Sequence, residues 1–328
     1  MSEATKAVQT AQKQEVSPSE RFAEIVIAES GSGFGDTGLP LAKKRLAQNY
    51  FVKLDSQLKE YEQKRLQKSE QYREALAYTW QNVNITKLAQ MVVASVKIGL
   101  DPLQPNHINM IPYANKATNK YDIGFLPGYQ GMQIKATKYG MNPPDAVIVE
   151  LIYDTDIFKP MKKSASNPIE TYEFEIKNPF NRGEIVGGFY YHIYENQSKN
   201  KLVMMSIEDI EKRKPKNASV EFWGGEKDEW VNGKKTGKKI ETDGWYAEMC
   251  LKTITRAAWN SIPIDADKVD ESLTALDSNS FEFKQQEVRE EVEANSAKTD
   301  LKLETTAEVV QPEAKAEAES DEDLFPTE

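Results

Sequence analysis

Ile108-Asn-Met-Ile-Pro-Tyr113, Tyr121-Asp-Ile-Gly-Phe-Leu126 and Gly128-Tyr-Gln-Gly-Met-Gln-Ile-Lys-Ala-Thr-Lys-Tyr-Gly140 follow one another near the middle of the chain. The first two are short apolar-rich runs flanking Asn115-Lys-Ala-Thr-Asn-Lys120, which predicts a β-hairpin with a basic loop. The third reads as a helix. Further strands are expected at Ala146–Tyr153, Thr171–Ile176, Val186–Tyr194 and Leu202–Ile207. A helix at Ile207–Lys214 follows, then a polar, Gly/Lys-rich loop from Pro215 to Asp243, then a helix from Trp245 to Ile262 that Pro263 stops. Upstream, Ser17-Pro-Ser-Glu20 combines an N-cap, Pro at the first helical position and Glu at the third, opening a helix that carries Phe22, Ile25 and Ile27. A second helix is expected from about Leu41 to Gln67, and a third from Thr86 to Ile98, capped by Asn84 and ended by Gly99. Helices grouped around one run of strands indicate the α+β class.

The 328 residues suit one large domain or two small ones. Residues 1–16 read as a disordered lead-in with no signal-peptide pattern, 17–280 as the folded domain and 281–328 as a disordered acidic tail. The longest apolar run, Met91 to Val96, is too short to span a membrane. A single cysteine, Cys250, fits a reducing cytoplasm, and with only His107 and His192 beside it neither a Cys/His zinc cluster nor a catalytic triad is assignable. The net charge of −10 is unevenly spread. Residues 286–328 hold 14 acidic and 4 basic side chains, which leaves 38 of each sign in the rest of the chain. Affinity for an anionic partner therefore depends on how charge is arranged on a neutral body.

Several motifs carry competing readings. Gly33-Phe-Gly35-Asp-Thr-Gly38 spells a dinucleotide fingerprint but lacks the strand that must precede it, so a flexible loop is expected there. No phosphate-binding Gly-Lys-Ser/Thr loop occurs, and no cofactor is expected. Glu150, Asp154 and Asp156 recur at even spacing near a strand end, where they would hold Mg²⁺ in a nuclease or simply face solvent. In the last helix Glu248, Lys252, Arg256 and Asn260 form a polar stripe, opposite Tyr246, Met249, Cys250, Ala257 and Ile262. Glu248 and Lys252 suit an ordinary i,i+4 pair, which leaves Arg256 and Thr253 for phosphate contact. Lys135 and Lys138 join Lys116 and Lys120 in a candidate basic strip. Lys212-Arg213-Lys214-Pro-Lys216 and Lys234-Lys235-Thr-Gly-Lys238-Lys239 are either solvated runs or extensions of that strip, with Tyr113, Tyr121, Phe125, Tyr129, Trp223 and Trp230 interleaved as core or stacking aromatics.

Ile98-Gly-Leu-Asp-Pro102, Met110-Ile-Pro-Tyr113, Phe125-Leu-Pro-Gly-Tyr-Gln-Gly-Met132, Tyr139-Gly140, Val149-Glu-Leu-Ile-Tyr-Asp-Thr-Asp-Ile-Phe158, Gly187-Gly-Phe-Tyr-Tyr191 and Trp245-Tyr-Ala-Glu-Met-Cys-Leu-Lys-Thr253 occur in that order. Together, over about residues 20–265, they resemble the RecT family of phage annealing proteins. The resemblance implies a β-β-β-α core with flanking helices and ATP-independent binding and annealing of single-stranded DNA by a homo-oligomer or filament, without covalent chemistry. It also implies a partner exonuclease, with a host single-strand-binding protein as a further candidate partner. Carried over by position, it points to Gln130, Lys135, Lys252, Thr253 and Arg256 along a DNA groove. Lys116, Lys120, Lys138 and the Lys212, Arg213, Lys214, Lys216 run are added from charge pattern alone. The alternatives are a Mg²⁺-dependent nuclease and a non-enzymatic phage adaptor.

Overall fold

The computed structural model describes residues 18–32, 41–215, 218–231 and 234–299. Helices α1 (Pro18–Ser32), α2 (Leu41–Gln67) and α3 (Ile85–Ile98) lie where the caps and periods put them, within a residue. Ser17 and the Gly33–Gly38 loop fall outside the described residues. Helix α3 is buried nearly all round, from Leu88 to Ile98, because other elements cover it on several sides. Its ends are closed by the Asn84 side chain, which accepts from the Lys87 amide, and by Gly99 at φ +99°.

Strands β1 (Ile108–Asn115) and β2 (Lys120–Pro127) form the expected hairpin, pairing from Ile108↔Pro127 to Asn115↔Lys120. Helix α4 (Tyr129–Tyr139) follows at once. The Pro-Gly-Tyr-Gln-Gly run at this junction has a steric cause. A Cβ on Gly128 would stand 2.1 Å from the Asn106 carbonyl oxygen, and one on Gly131 1.9 Å from that of His107. Only glycine lets the first turn of α4 rest on that backbone.

Next come β3 (Ala146–Tyr153), β4 (Ile157–Met161), β5 (Thr171–Glu175), β6 (Ile185–Ile193) and β7 (Lys201–Ser206). Strands β3, β6 and β7 make an antiparallel sheet with β6 central, while β4 and β5 pair as a separate hairpin. Alternation along β6 divides two cores. Phe189 and Tyr191 pack with Phe158, Tyr172 and Phe174 of the hairpin. Tyr190 packs with Cys250, Ile254 and Ala258 of a helix on the other face. That helix is α7 (Tyr246–Asn260), preceded by α5 (Ile207–Glu211), α6 (Val220–Trp223), β8 (Gly225–Val231) and β9 (Lys234–Thr242). Gly188 admits α7 closely, since a Cβ there would lie 2.4 Å from Ile254 Cδ1.

The α+β class stands; β3, β6 and β7 form one antiparallel sheet, and α7 packs on one of its faces. Three local expectations need correction. Strand β4 was not foreseen, because Pro160 interrupts a five-residue run; the strand pairs only with β5, where a missing N–H is tolerated. The Pro215–Asp243 loop instead holds α6 and the β8–β9 hairpin. Asn232-Gly233, the dipeptide favoured in two-residue hairpin turns, was the overlooked signal. Finally, the chain after residue 280 continues as α8 (Glu271–Thr299).

The chain divides after Phe283 into two units, and the part of α8 up to that residue belongs to the first. There Leu273, Leu276, Asn279 and Phe283 are buried on one stripe, and Asp270 caps the Leu273 amide at 2.8 Å. Lys216, residues 1–17 and residues 300–328 lie outside the described residues.

Candidate nucleic-acid interface

Residues Cys250, Ile254 and Ala258 recur every fourth position and bury one side of α7 against the β3-β6-β7 sheet. The buried stripe fixes the rotation of the helix, so Lys252, Thr253 and Arg256 emerge on its other side. A groove of about 670 Å³ opens there, lined on the α7 side by Thr253, Arg256 and Asn260 and opposite them by Met205, Asp209 and Arg213. Arg213 is held by its contact with Met205, Nη1 to Sδ 3.7 Å. The Thr253 hydroxyl donates to the Met249 carbonyl at 2.8 Å, so it reaches the groove with its proton already committed.

Two half-buried cations dominate the site. Among the described residues neither Lys252 nor Arg256 has an acidic partner, and the Glu248–Lys252 pair that the spacing offers does not form. Burial pushes the Lys252 ammonium below its ordinary pKa, and the neighbouring Arg256 charge pushes it further. Burial likewise lowers Arg256. Two desolvated like charges side by side make this part of α7 a candidate anion-binding surface.

The other expected residues are placed differently. Lys135 Nζ lies 2.5 Å from Asp277 Oδ1 of α8. Lys138 Nζ donates to the Lys97 carbonyl at 2.9 Å, stands 4.0 Å from Asp270 and lies 4.8 Å over the Tyr139 ring. Lys116 and Lys120 are exposed at the hairpin end of β1 and β2, roughly 23 Å along the strands from the turn into α4. The proposed strip is thus interrupted, because Asp277 of α8 and Asp270 just before it stand beside its α4 half. Gln130 is half-buried in the first turn of α4 and does not line the groove. Lys212 stands 3.7 Å from Asp209, and Lys214 lies 5.5 Å over the Trp223 ring, both near Arg213. Sequence reasoning missed Asp209 and Met205 on the far wall. Asp209 is an acid in the first turn of α5, below the Ser206 cap, which was its only signal.

The structure does not gather Glu150, Asp154 and Asp156 into one acidic cluster. Strand β3 ends at Tyr153, so the even spacing does not continue along one strand. The Asp156 carboxylate is fully buried and paired with Arg182 at 2.5 Å, and it also accepts from the Tyr153 amide. Burial alone would raise its pKa; Arg182 and the amide outweigh it and hold the carboxyl below the usual range. Among the described residues no group of three or more His, Cys, Asp or Glu is placed to hold a metal ion. Asp156→Ala leaves Arg182 half-sequestered and should cost about 3–5 kcal/mol in denaturant unfolding. Oligonucleotide affinity of the folded protein should not change, and a selective loss of DNA binding would return these carboxylates to the functional site.

A model of the RecT family matches residues 62–293, well over half of the chain. No curated protein and no solved structure matches it. The matched span takes in the Pro-Gly-Tyr-Gln-Gly turn, the central sheet, the groove and α7, and the chain belongs to the RecT family.

Proposed function

We propose that this protein binds single-stranded DNA along α7 and promotes annealing of complementary strands, as an oligomer and without nucleotide hydrolysis. The observation that carries this reading is the Lys252–Arg256 pair, which has no acidic partner among the described residues, with Arg256 in the wall of an open groove and Lys252 one turn before it on α7. Family membership supports the same activity, single-strand annealing in phage recombination. Two strands repel through their phosphates, and each also folds on itself. Cations that hold the backbone and leave base edges free lower both barriers. Base pairing then supplies about 1.4 kcal/mol per step, so no fuel is required. A row of protomers keeps two strands in register while pairs close. An exonuclease that supplies the single strand is the expected partner.

The test is annealing of two complementary oligonucleotides, followed by fluorescence energy transfer, in EDTA and without nucleotide. Acceleration over DNA alone is expected, and its absence would sink the proposal. Cleavage that EDTA stops would instead establish the nuclease reading, and an absence of salt-sensitive DNA binding the adaptor reading.

A pH dependence follows from Lys252. Its lowered pKa means that the charged form is lost as pH rises, beginning below the ordinary lysine value of about 10.4. Bound phosphate favours the charged form, so affinity should fall over that alkaline range. Lys252→Arg should hold its affinity there, as anisotropy titrations at fixed ionic strength would read.

The acidic residues beyond α8 give a further expectation. Residues 300–328 carry 10 acidic and 2 basic side chains. A tethered polyanion competes with DNA for a basic groove. Truncation after Thr299 should tighten oligonucleotide binding at low salt, with the gain fading as salt screens both contacts. Unchanged affinity at every salt concentration would end the self-inhibition idea.

A further inference from the structure

Trp245 stands at the N-cap of α7, where serine, threonine, aspartate or asparagine would accept a hydrogen bond from the first turn. Tryptophan makes no such cap here, and its residue is 60% exposed. Among the described residues its ring makes no hydrogen bond, ring contact or cation contact. The backbone beneath it is nevertheless fixed. Its amide donates to the Phe222 carbonyl at 2.8 Å and its carbonyl accepts from Met249 at 2.9 Å. The preceding Gly244, at φ +60°, admits no side chain, since a Cβ there would lie 2.5 Å from the Gly224 nitrogen. A large apolar ring thus stands in solvent on a fixed backbone, at a position where a smaller polar residue would stabilise the helix.

Its direction supplies the reason. At 100° per residue, Lys252 and Arg256 fall about 20° to either side of Trp245 around the helix, and the three span about 16 Å of its length. Thr253 and Asn260 turn from this line toward the groove, whereas Glu248 lies about 60° round on the side away from it. Trp245 therefore continues the line of the two uncompensated cations at the rim of the groove. A cation row ending in an exposed indole on a fixed backbone suits a chain of phosphates whose bases are free to stack.

We infer that Trp245 is a nucleobase-stacking residue, packing its indole on an unpaired base while Lys252 and Arg256 hold the neighbouring phosphates. The inference rests on the proposed DNA-binding role of α7 and adds a preference for unpaired over paired strands, since a base inside a duplex has no free face.

The experiment compares oligo(dT) with an abasic oligomer of equal length and charge, by anisotropy, for wild type, Trp245→Ala, Trp245→Phe and Trp245→Asn. Stacking of one base predicts that Trp245→Ala weakens oligo(dT) binding on the order of ten- to a hundredfold while the abasic oligomer is barely affected. Trp245→Phe should recover most of the loss. Trp245→Asn, which restores the cap acceptor, should melt at a higher temperature than wild type yet lose oligo(dT) affinity as alanine does. Equal loss on both oligomers, or no loss on either, overturns the inference. So does a shift in the sedimentation of DNA-free Trp245→Phe with its oligo(dT) preference intact, which would make the ring a contact between copies. Failure of the underlying reading looks different: Lys252→Gln with Arg256→Gln would then bind both oligomers normally.

Discussion

The double replacement of Lys252 and Arg256 by glutamine should abolish annealing while leaving the protein folded, with a thermal midpoint equal to or above that of wild type. Two half-buried cations side by side, without an acid, are a cost that folding bears in the absence of DNA. Glutamine keeps most of the aliphatic stem that covers apolar surface and removes the charge. A hydrogen bond to a charged group is worth about 1.5–3 kcal/mol, so losing two should raise the oligonucleotide Kd on the order of a hundred- to ten-thousandfold. The slope of log affinity against log salt should fall by about two, and the loss should not depend on base sequence. A salt titration of the double variant beside wild type reads all three. A normal slope would remove α7 from the interface.

Cutting the chain after Asp270 should prevent folding, whereas ending it at Thr299 should leave unfolding unchanged. The reason lies in an unusual support for the β1–β2 hairpin. A two-stranded ribbon leaves one edge of β2 without a partner strand. Asn279, only 2% exposed, supplies that partner with its side-chain amide. Its Oδ1 accepts from the Phe125 amide at 2.7 Å, and its Nδ2 donates to the Ile123 carbonyl at 3.1 Å. Ser280 adds a bond to the Phe125 carbonyl at 2.8 Å. Leu273 and Leu276 fill the main core beside α3. Asn279→Ala leaves a buried donor and a buried acceptor unpaired, at about 1–3 kcal/mol each, and Leu276→Ala should cost about 2–5 kcal/mol. Either is a large part of a typical stability of about 5–15 kcal/mol. Denaturant midpoints of the two single variants provide the measurement, and unchanged midpoints would mean that α8 is only an appendage of the fold.

Much of the fold was legible because its signals are local. Asn84 and Gly99 bracket α3, the apolar run of Val186–Tyr194 marks a strand, and the polar stripe of Glu248, Lys252, Arg256 and Asn260 gives α7 an outer face, although its buried stripe is Cys250, Ile254 and Ala258 where Tyr246, Met249, Cys250, Ala257 and Ile262 were expected. Each depends on backbone geometry within a few residues, which any chain of that pattern would share. The side of α7 on which Lys252 and Arg256 lie was legible on the same grounds, since a polar stripe turns away from a buried one; Thr253 came from the family resemblance. Family membership was likewise carried by ordered short motifs, some of which, such as the Gly128 and Gly131 turn, answer a steric demand of the fold.

Whether a given charge is free was not legible, because pairing is set by residues far away in sequence. Lys135 and Lys138 looked like members of a DNA-binding strip until α8 brought Asp277 and Asp270 to them from more than 130 residues along the chain. The spacing of Asp156 left a metal ligand and a solvated strand end open, and Arg182 instead pairs with its buried carboxylate. Glu248 and Lys252 had the spacing of a pair and remain apart. The amino-acid sequence by itself determined α1 to α4, α7, most of the strands and the α+β class, because these follow from local periodicity and caps. Tertiary structure decided which of these cations stand beside an acid and which do not. Coulomb attraction acts over a few ångströms of space, and only the packed chain determines which side chains come that close.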